Sequence, residues 1–176
     1  ATIMYEETAQ GVANDIRVSI DAMDPIGAPE QESRRQGRRT RVHLMTDTGM
    51  GRLGALPGRA RELARAVGKS RWLELEGVAT HVSSSRPGHP FTVVQRERLL
   101  GLLAAMREDG IDPPMVHFAN TAAILGGEGV GFPLVRPGIS LYGLAGGDFE
   151  PVLQLRTQVV YFKDVPAGTP IGYNGT

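Results

Sequence analysis

Apolar residues recur along this chain with two different periods. Ala9, Val12, Ala13 and Ile16 stand three and four residues apart, which predicts a helix with one buried face. The same spacing returns in Ala60, Leu63, Ala64 and Val67, in a helix predicted from about Gly58 with Arg59, Arg61 and Arg65 turned to solvent. It is clearest after Pro90, where Leu99, Leu102, Leu103 and Met106 form the buried stripe and Asp109-Gly110 supplies the stop. Between these helices lie short β-branched runs that read as strands: Val42 to Met45, Gly77 to Val82, Met115 to Asn120, and Leu134 to Arg136. Strands alternating with helices predict parallel βαβ units with right-handed crossovers. The periodicity fits an open doubly wound sheet and a closed barrel equally.

Two stretches break the rhythm. From Asp21 to Arg41 the chain carries two prolines, two glycines and a run of arginines that includes Arg34, Arg35, Arg38 and Arg39. That stretch is read as an exposed loop. A basic run can grip phosphate or RNA, but no aromatic residues interleave with this one and no function is assigned to it. Beyond Gly146-Gly147 the texture becomes alternating and β-prone, through Val152, Leu153, Leu155, Val159, Val160, Tyr161 and Phe162 to the turn Pro166-Ala167-Gly168. This predicts antiparallel strands and a domain boundary near residues 146 to 150.

The composition narrows the possible partners. With 176 residues, 41% of them hydrophobic, the chain can bury one ordinary core. Lys+Arg and Asp+Glu both total 19, so no net field favours nucleic acid or an anionic membrane, and a small, locally recognised ligand fits better. The absence of cysteine excludes disulfides, thiolate metal sites and a cysteine nucleophile. No apolar window is long enough for a membrane span and no secretory signal pattern opens the chain, so a cytoplasmic protein is expected. The chain starts at Ala1 and runs straight into Ile3, Met4 and Tyr5, so both ends are read as cuts within a longer protein.

Candidate chemistry gathers where parallel α/β sheets bind ligands, at the C-terminal ends of the strands. Asp47 with Arg52, His81, Asn120 with Thr121, and Arg136 each end one predicted strand. Singly each has a plain explanation. His81 can be structural, the glycines of TDTGMGRLG (46 to 54) can make a tight turn or let backbone N–H groups approach an anion, and Asn120-Thr121 can be a helix cap. Amides exposed after such a cap would also suit a phosphate.

Together, TDTGMGRLG, ATHVSS, HFANTAAIL and RPGISLYGL occur in the order and at about the spacing seen in alanine racemases, and the chain resembles that family over roughly residues 42 to 176. The resemblance implies a (β/α)8 TIM barrel, of which this chain would hold about the last five strands over residues 1 to 146, followed by the opening of an antiparallel β-domain at 147 to 176. It implies a pyridoxal 5'-phosphate-dependent isomerase that interconverts L- and D-alanine with two bases and supplies D-alanine for peptidoglycan. A homodimer, in which the partner completes each site, is implied as well.

Role by role, the resemblance implies that Arg136 donates to the cofactor's pyridine nitrogen and that His81 hydrogen-bonds and orients this arginine. Thr121 with the backbone N–H groups of Gly138 and Ile139 would hold the phosphate, supported by Asn120. Arg52 would take the substrate carboxylate, for which its planar fork is suited. Tyr173 would be the second base, reaching into the other subunit's site. A tyrosine titrates near 10, so its phenolate would need nearby positive charge. His117 is left out of the site, as a residue that packs or hydrogen-bonds inside the barrel.

The match breaks at two places. The only lysines, Lys69 and Lys163, lie outside any motif for the Schiff-base lysine, so the isolated chain is expected to be inactive. Met45 stands where many relatives carry a lysine that positions the substrate arginine, and it offers almost no hydrogen bonding. Exposed strand edges and apolar faces predict poor solubility alone. The competing readings are a racemase of serine or of broader specificity, a non-catalytic module that binds pyridoxal phosphate or another phosphate ligand, and a decayed remnant.

Overall fold

The computed structural model describes residues 7–21, 26–84 and 86–175. The β-prone opening at Ile3, Met4 and Tyr5 lies outside them. In chain order the elements are α1 (Thr8–Ala13), β1 (Val18–Ile20), α2 (Gly27–Gln36), β2 (Thr40–Met45), α3 (Pro57–Lys69), β3 (Leu73–Ala79), α4 (Pro90–Glu108), β4 (Met115–Asn120), α5 (Thr121–Leu125) and β5 (Leu134–Arg136). The five strands form one parallel sheet in sequential order, β1-β2-β3-β4-β5. Each neighbour in sequence is a neighbour in space, so the sheet is a run of consecutive barrel staves with no switch point, which settles the choice between open sheet and barrel for a partial (β/α)8 barrel.

The alternation along β2 explains how the sheet presents two chemistries. Thr40, Val42 and Leu44 are buried towards the helices, whereas Arg41, His43 and Met45 occupy the other face and are half-buried. On the helical side Leu63, Ala64 and Val67 of α3 and Leu99, Leu103 and Met106 of α4 pack with Val42, Leu44, Val78 and Phe118 in one continuous core. Proline stands in the first turn of both α3 and α4, where its missing N–H costs no helical hydrogen bond. None of the described helices is long and apolar enough to cross a membrane.

The structure departs from the sequence reading in five places. β3 runs Leu73–Ala79, starting four residues before the predicted Gly77 and ending three before Val82. The arginine-rich stretch is not a loop throughout: Gly27–Gln36 is helical and ends at Gly37, whose φ of 63° closes it in the left-handed conformation. Its buried residues are Pro29 and Ser33, and the Ser33 hydroxyl donates to the Pro29 carbonyl and lies 2.6 Å from the Thr40 hydroxyl, so no apolar stripe marks it. β1 is an additional strand of three residues. Ile16 lies past the end of α1 and is 42% exposed. Finally, residues 151 to 162 form no strand among the described residues. Their alternation matches a strand's, but among the described residues no neighbouring segment pairs with them in a ladder, and a strand without a ladder is not stable.

Candidate active site

The strand ends converge on a cavity of 410 Å³ lined by His81, Asn120, Thr121, Arg136, Gly138 and Ile139, with apolar walls from Leu125, Leu144 and Ala145. That volume suits a small ligand. Asn120 ends β4 and caps α5: its side-chain oxygen accepts from the Ala123 N–H at 3.1 Å, while its amide donates to the carbonyls of Val82 and Ser84. The cap thereby ties the β3–α4 loop to the start of α5 and fixes one wall. Beside it the Thr121 hydroxyl oxygen accepts from the Gly138 N–H at 3.0 Å and lies 3.2 Å from the Ser140 hydroxyl. The Ile139 N–H donates to no protein group among the described residues. A Cβ at Gly138 would meet nothing within 4 Å, so the space beside it is open. A hydroxyl and a free amide on one open wall are donors suited to an anion.

Arg136 ends β5 and crosses the barrel interior. Both protons on Nη1 are taken, by His117 Nδ1 at 2.7 Å and the His117 carbonyl at 2.9 Å; Nη2 donates to the carbonyls of Thr80 at 2.6 Å and Phe118 at 3.3 Å. A guanidinium has five donors, and the fifth, Nε–H, has no protein acceptor among the described residues. It is the donor left for a ligand. Burial lowers the Arg136 pKa from its usual range, but a guanidinium keeps its proton at physiological pH.

The histidine bonded to Arg136 is therefore His117, not His81 as the resemblance implied. His81 lines the same cavity without a hydrogen bond to the guanidinium among the described residues, and its pKa is lowered by burial and by the charges of Arg136 and Arg52. The physical reason lies in β4: His117 is inward-facing three residues before the strand ends and pairs with Leu134 of β5, so it sits beside the guanidinium. His117 is pushed down to about 3, chiefly by burial and then by Arg136 and His43. Behind it, His43 Nδ1 lies 2.8 Å from His117 Nε2, and His43 Nε2 lies 3.0 Å from a Glu76 carboxylate oxygen. Sequence reasoning missed His43 and Glu76. The available signal was the polar alternation R-V-H-L-M along β2, which a parallel strand buried on both faces would not show.

The remaining candidates stand apart from the cavity. Arg52 is exposed on the loop after β2 and does not line the pocket, although its charge reaches His81. Tyr173 is 97% exposed and is not brought to the cavity. The glycine-rich loop 46–54 does cradle an anion, but that anion is its own Asp47, whose carboxylate accepts the N–H groups of Gly49, Met50 and Gly51. Those donors outweigh burial and hold Asp47 below the usual carboxylate range. Gly54, at φ 112°, has room for no Cβ because the backbone of Thr46 and Asp47 lies 2.8 Å away. Met45 is half-buried on the inward face of β2. Lys69 and Lys163 are exposed and line no part of the cavity.

Comparison with known proteins agrees with the fold. Residues 1–146 match the family model for the N-terminal domain of alanine racemase. The alanine racemase of Methanococcus maripaludis is 31% identical over 184 residues, covering 99% of this chain and 49% of that protein. That of Chlorobaculum tepidum is 40% identical over 147 residues, covering 80% and 38%. The solved alanine racemase of Streptomyces coelicolor A3(2) superposes with a TM-score of 0.81 at 31% identity over 96% of this chain and 48% of that one. The chain spans about half the length of these relatives or less. With a family match over most of its length and the same partial barrel, the chain belongs to the alanine racemase family.

Proposed function

We propose that these residues form the phosphate- and ring-binding part of a pyridoxal 5'-phosphate-dependent amino-acid racemase that acts on alanine in the cytoplasm and supplies D-alanine for peptidoglycan. The observation that carries the reading is that one cavity is lined both by Arg136, whose Nε–H has no protein acceptor among the described residues, and by Thr121 and Ile139 with their hydroxyl and free N–H. The first donor suits a ring nitrogen that accepts a hydrogen bond and the second group suits a phosphate. When bound, the cofactor supplies the electron sink for removal of the substrate's Cα proton. Arg136 keeps its own proton and donates without transferring it, which leaves the ring nitrogen opposite essentially unprotonated. That moderates the sink and favours returning the proton over side reactions.

Arg52, exposed on the loop after β2 with its charge reaching His81, is assigned to the substrate carboxylate. Tyr173 is assigned as the second base in the partner's site of a homodimer, which its exposure allows. Residues 147 to 176 are assigned to the opening of a β-domain. Because neither lysine lies at the cavity, these 176 residues by themselves should give no turnover in a coupled D-alanine assay.

The test uses pyridoxine 5'-phosphate, which keeps the ring nitrogen and phosphate but has no aldehyde to react with surface lysines. Calorimetric titration should show saturable binding that Arg136→Leu and Thr121→Val each weaken about tenfold or more, the cost of a lost charge-assisted or buried hydrogen bond. Unchanged affinity in both variants would remove the cofactor site from this cavity.

A further inference from the structure

Arg136 is a largely buried cation that forms no ion pair among the described residues. Its four occupied protons go to three carbonyls and one imidazole, all neutral. A buried charge left without compensation is costly, and the hydrogen bonds of Arg136 extend outward to a carboxylate. They lead from Arg136 to His117, from His117 to His43, and from His43 to the Glu76 carboxylate. At the far end Arg17 Nε lies 3.1 Å and Arg41 Nη1 3.5 Å from Glu76.

Donor and acceptor chemistry fixes the protons along this path. A guanidinium only donates, so His117 Nδ1 must present its lone pair to Arg136. The neutral ring then carries its proton on Nε2, which donates to His43 Nδ1. His43 in turn must carry a proton on Nε2, and that proton points at Glu76. Every bond runs the same way, from the cation to the carboxylate. Reversing any one places two donors or two lone pairs face to face.

The backbone is built to permit it. The β2–β3 register runs Val42 to Leu75 and then His43 to Gly77, so Glu76 is the extra residue of a bulge, a feature that re-aims a side chain. Opposite His43 the chain has glycine, and a Cβ at Gly77 would lie 2.7 Å from the His43 ring and 2.8 Å from the Met115 carbonyl. The absent side chain makes room for the imidazole.

We propose that Glu76 and His43 are positioning residues: acting through His117, they fix the orientation of Arg136 so that its Nε–H meets the ring nitrogen of a pyridine-type ligand. The relay rests on the cofactor reading given above for its ligand, but its existence does not. In this arrangement Glu76, itself held by Arg17 and Arg41, is the acceptor on which the relay from Arg136 ends, and the two imidazoles, each held in one tautomer, connect them.

The experiment has two arms, both on the 176-residue chain. Long-range 1H–15N spectra of the 15N-histidine-labelled protein should show His43 and His117 as Nε2–H tautomers at neutral pH; an Nδ1–H form of either overturns the relay. In the second arm, affinities for pyridoxine 5'-phosphate and for benzyl phosphate, which lacks the ring nitrogen, are compared. His43→Phe should cost pyridoxine 5'-phosphate about tenfold and benzyl phosphate less than about twofold. Glu76→Gln keeps an acceptor for His43 while discarding the charge, and should cost about threefold on the first ligand alone. No loss, or equal loss of both ligands in the mild Glu76→Gln variant, overturns the proposal. If the unaltered chain binds the two ligands equally, the ring–Arg136 contact is wrong, and the tautomers still decide whether the relay exists.

Discussion

Two parts of this chain have the same alternating, β-branched texture and end up differently. In β2 the residues Val42 and Leu44 are fully buried, whereas in the segment from residue 151 Leu155 is 98% and Val160 92% exposed. The difference is not propensity. β2 has β1 on one side and β3 on the other, with α3 covering one face, so its backbone groups are paired and its alternate side chains are out of water. Among the described residues the later segment has neither ladder nor cover. Strand propensity is thus a fitness for a pleated, half-buried surface that neighbours must supply.

The comparison breaks most violently at the core. Phe118 is fully buried in β4, with its ring 5.5 Å from that of Phe132. Phe118→Ala should remove about 3–5 kcal/mol, the range for emptying an aromatic site in a packed interior. Urea denaturation read by circular dichroism checks it. A loss below about 1 kcal/mol would mean that the five-stranded sheet is not the stability-determining unit.

A second, smaller effect separates the sheet's two faces. The inward face carries His117, whose native pKa is held at about 3, and His81, which is shifted in the same direction. In the unfolded chain both take up a proton near 6.5. Below that value the unfolded state binds more protons than the native state, so stability falls as pH falls, and it is lost progressively down to the native pKa. Glu76, held below its ordinary value by hydrogen bonds from His43 and Arg17 despite burial, adds a loss of the same sign only at more acid pH. Urea midpoints should therefore decline from pH 6.5 to pH 5, before carboxylates contribute. His117→Asn should flatten that decline by up to one proton's slope, about 1.4 kcal/mol per pH unit. An unchanged slope would mean that His117 is solvated and ordinary.

How much of this was legible follows the same division. The limits of β4 and the body of α3 and α4 could be read from periodicity because each buries a continuous apolar stripe or run, whereas β5, none of whose residues is fully buried, was read from its short β-branched run alone. α2 could not, since what it buries is a proline and a hydroxyl, and three-residue β1 is too short to show a period. The cavity residues were found because each stands at a strand end within a recognisable motif. The relay was not, because His43 and His117 are 74 residues apart and Glu76 reaches them only through a bulge. Register is a property of the pairing, and no single strand's sequence contains it.

The smallest effect is the sharpest control. Leu155 is the most exposed large apolar residue of the segment beyond residue 150. Leu155→Asn removes an apolar surface that water already covers, so the urea midpoint should move by less than about 0.5 kcal/mol equivalent, while light scattering at high concentration should decrease because an exposed apolar run is shortened. A loss of stability comparable to that of Phe118→Ala would show Leu155 buried in solution, and the segment would then have found the ladder and cover that the described residues do not give it. The same propensity would have been realised by a different neighbour, which is the one change able to erase the contrast between the two parts of the chain.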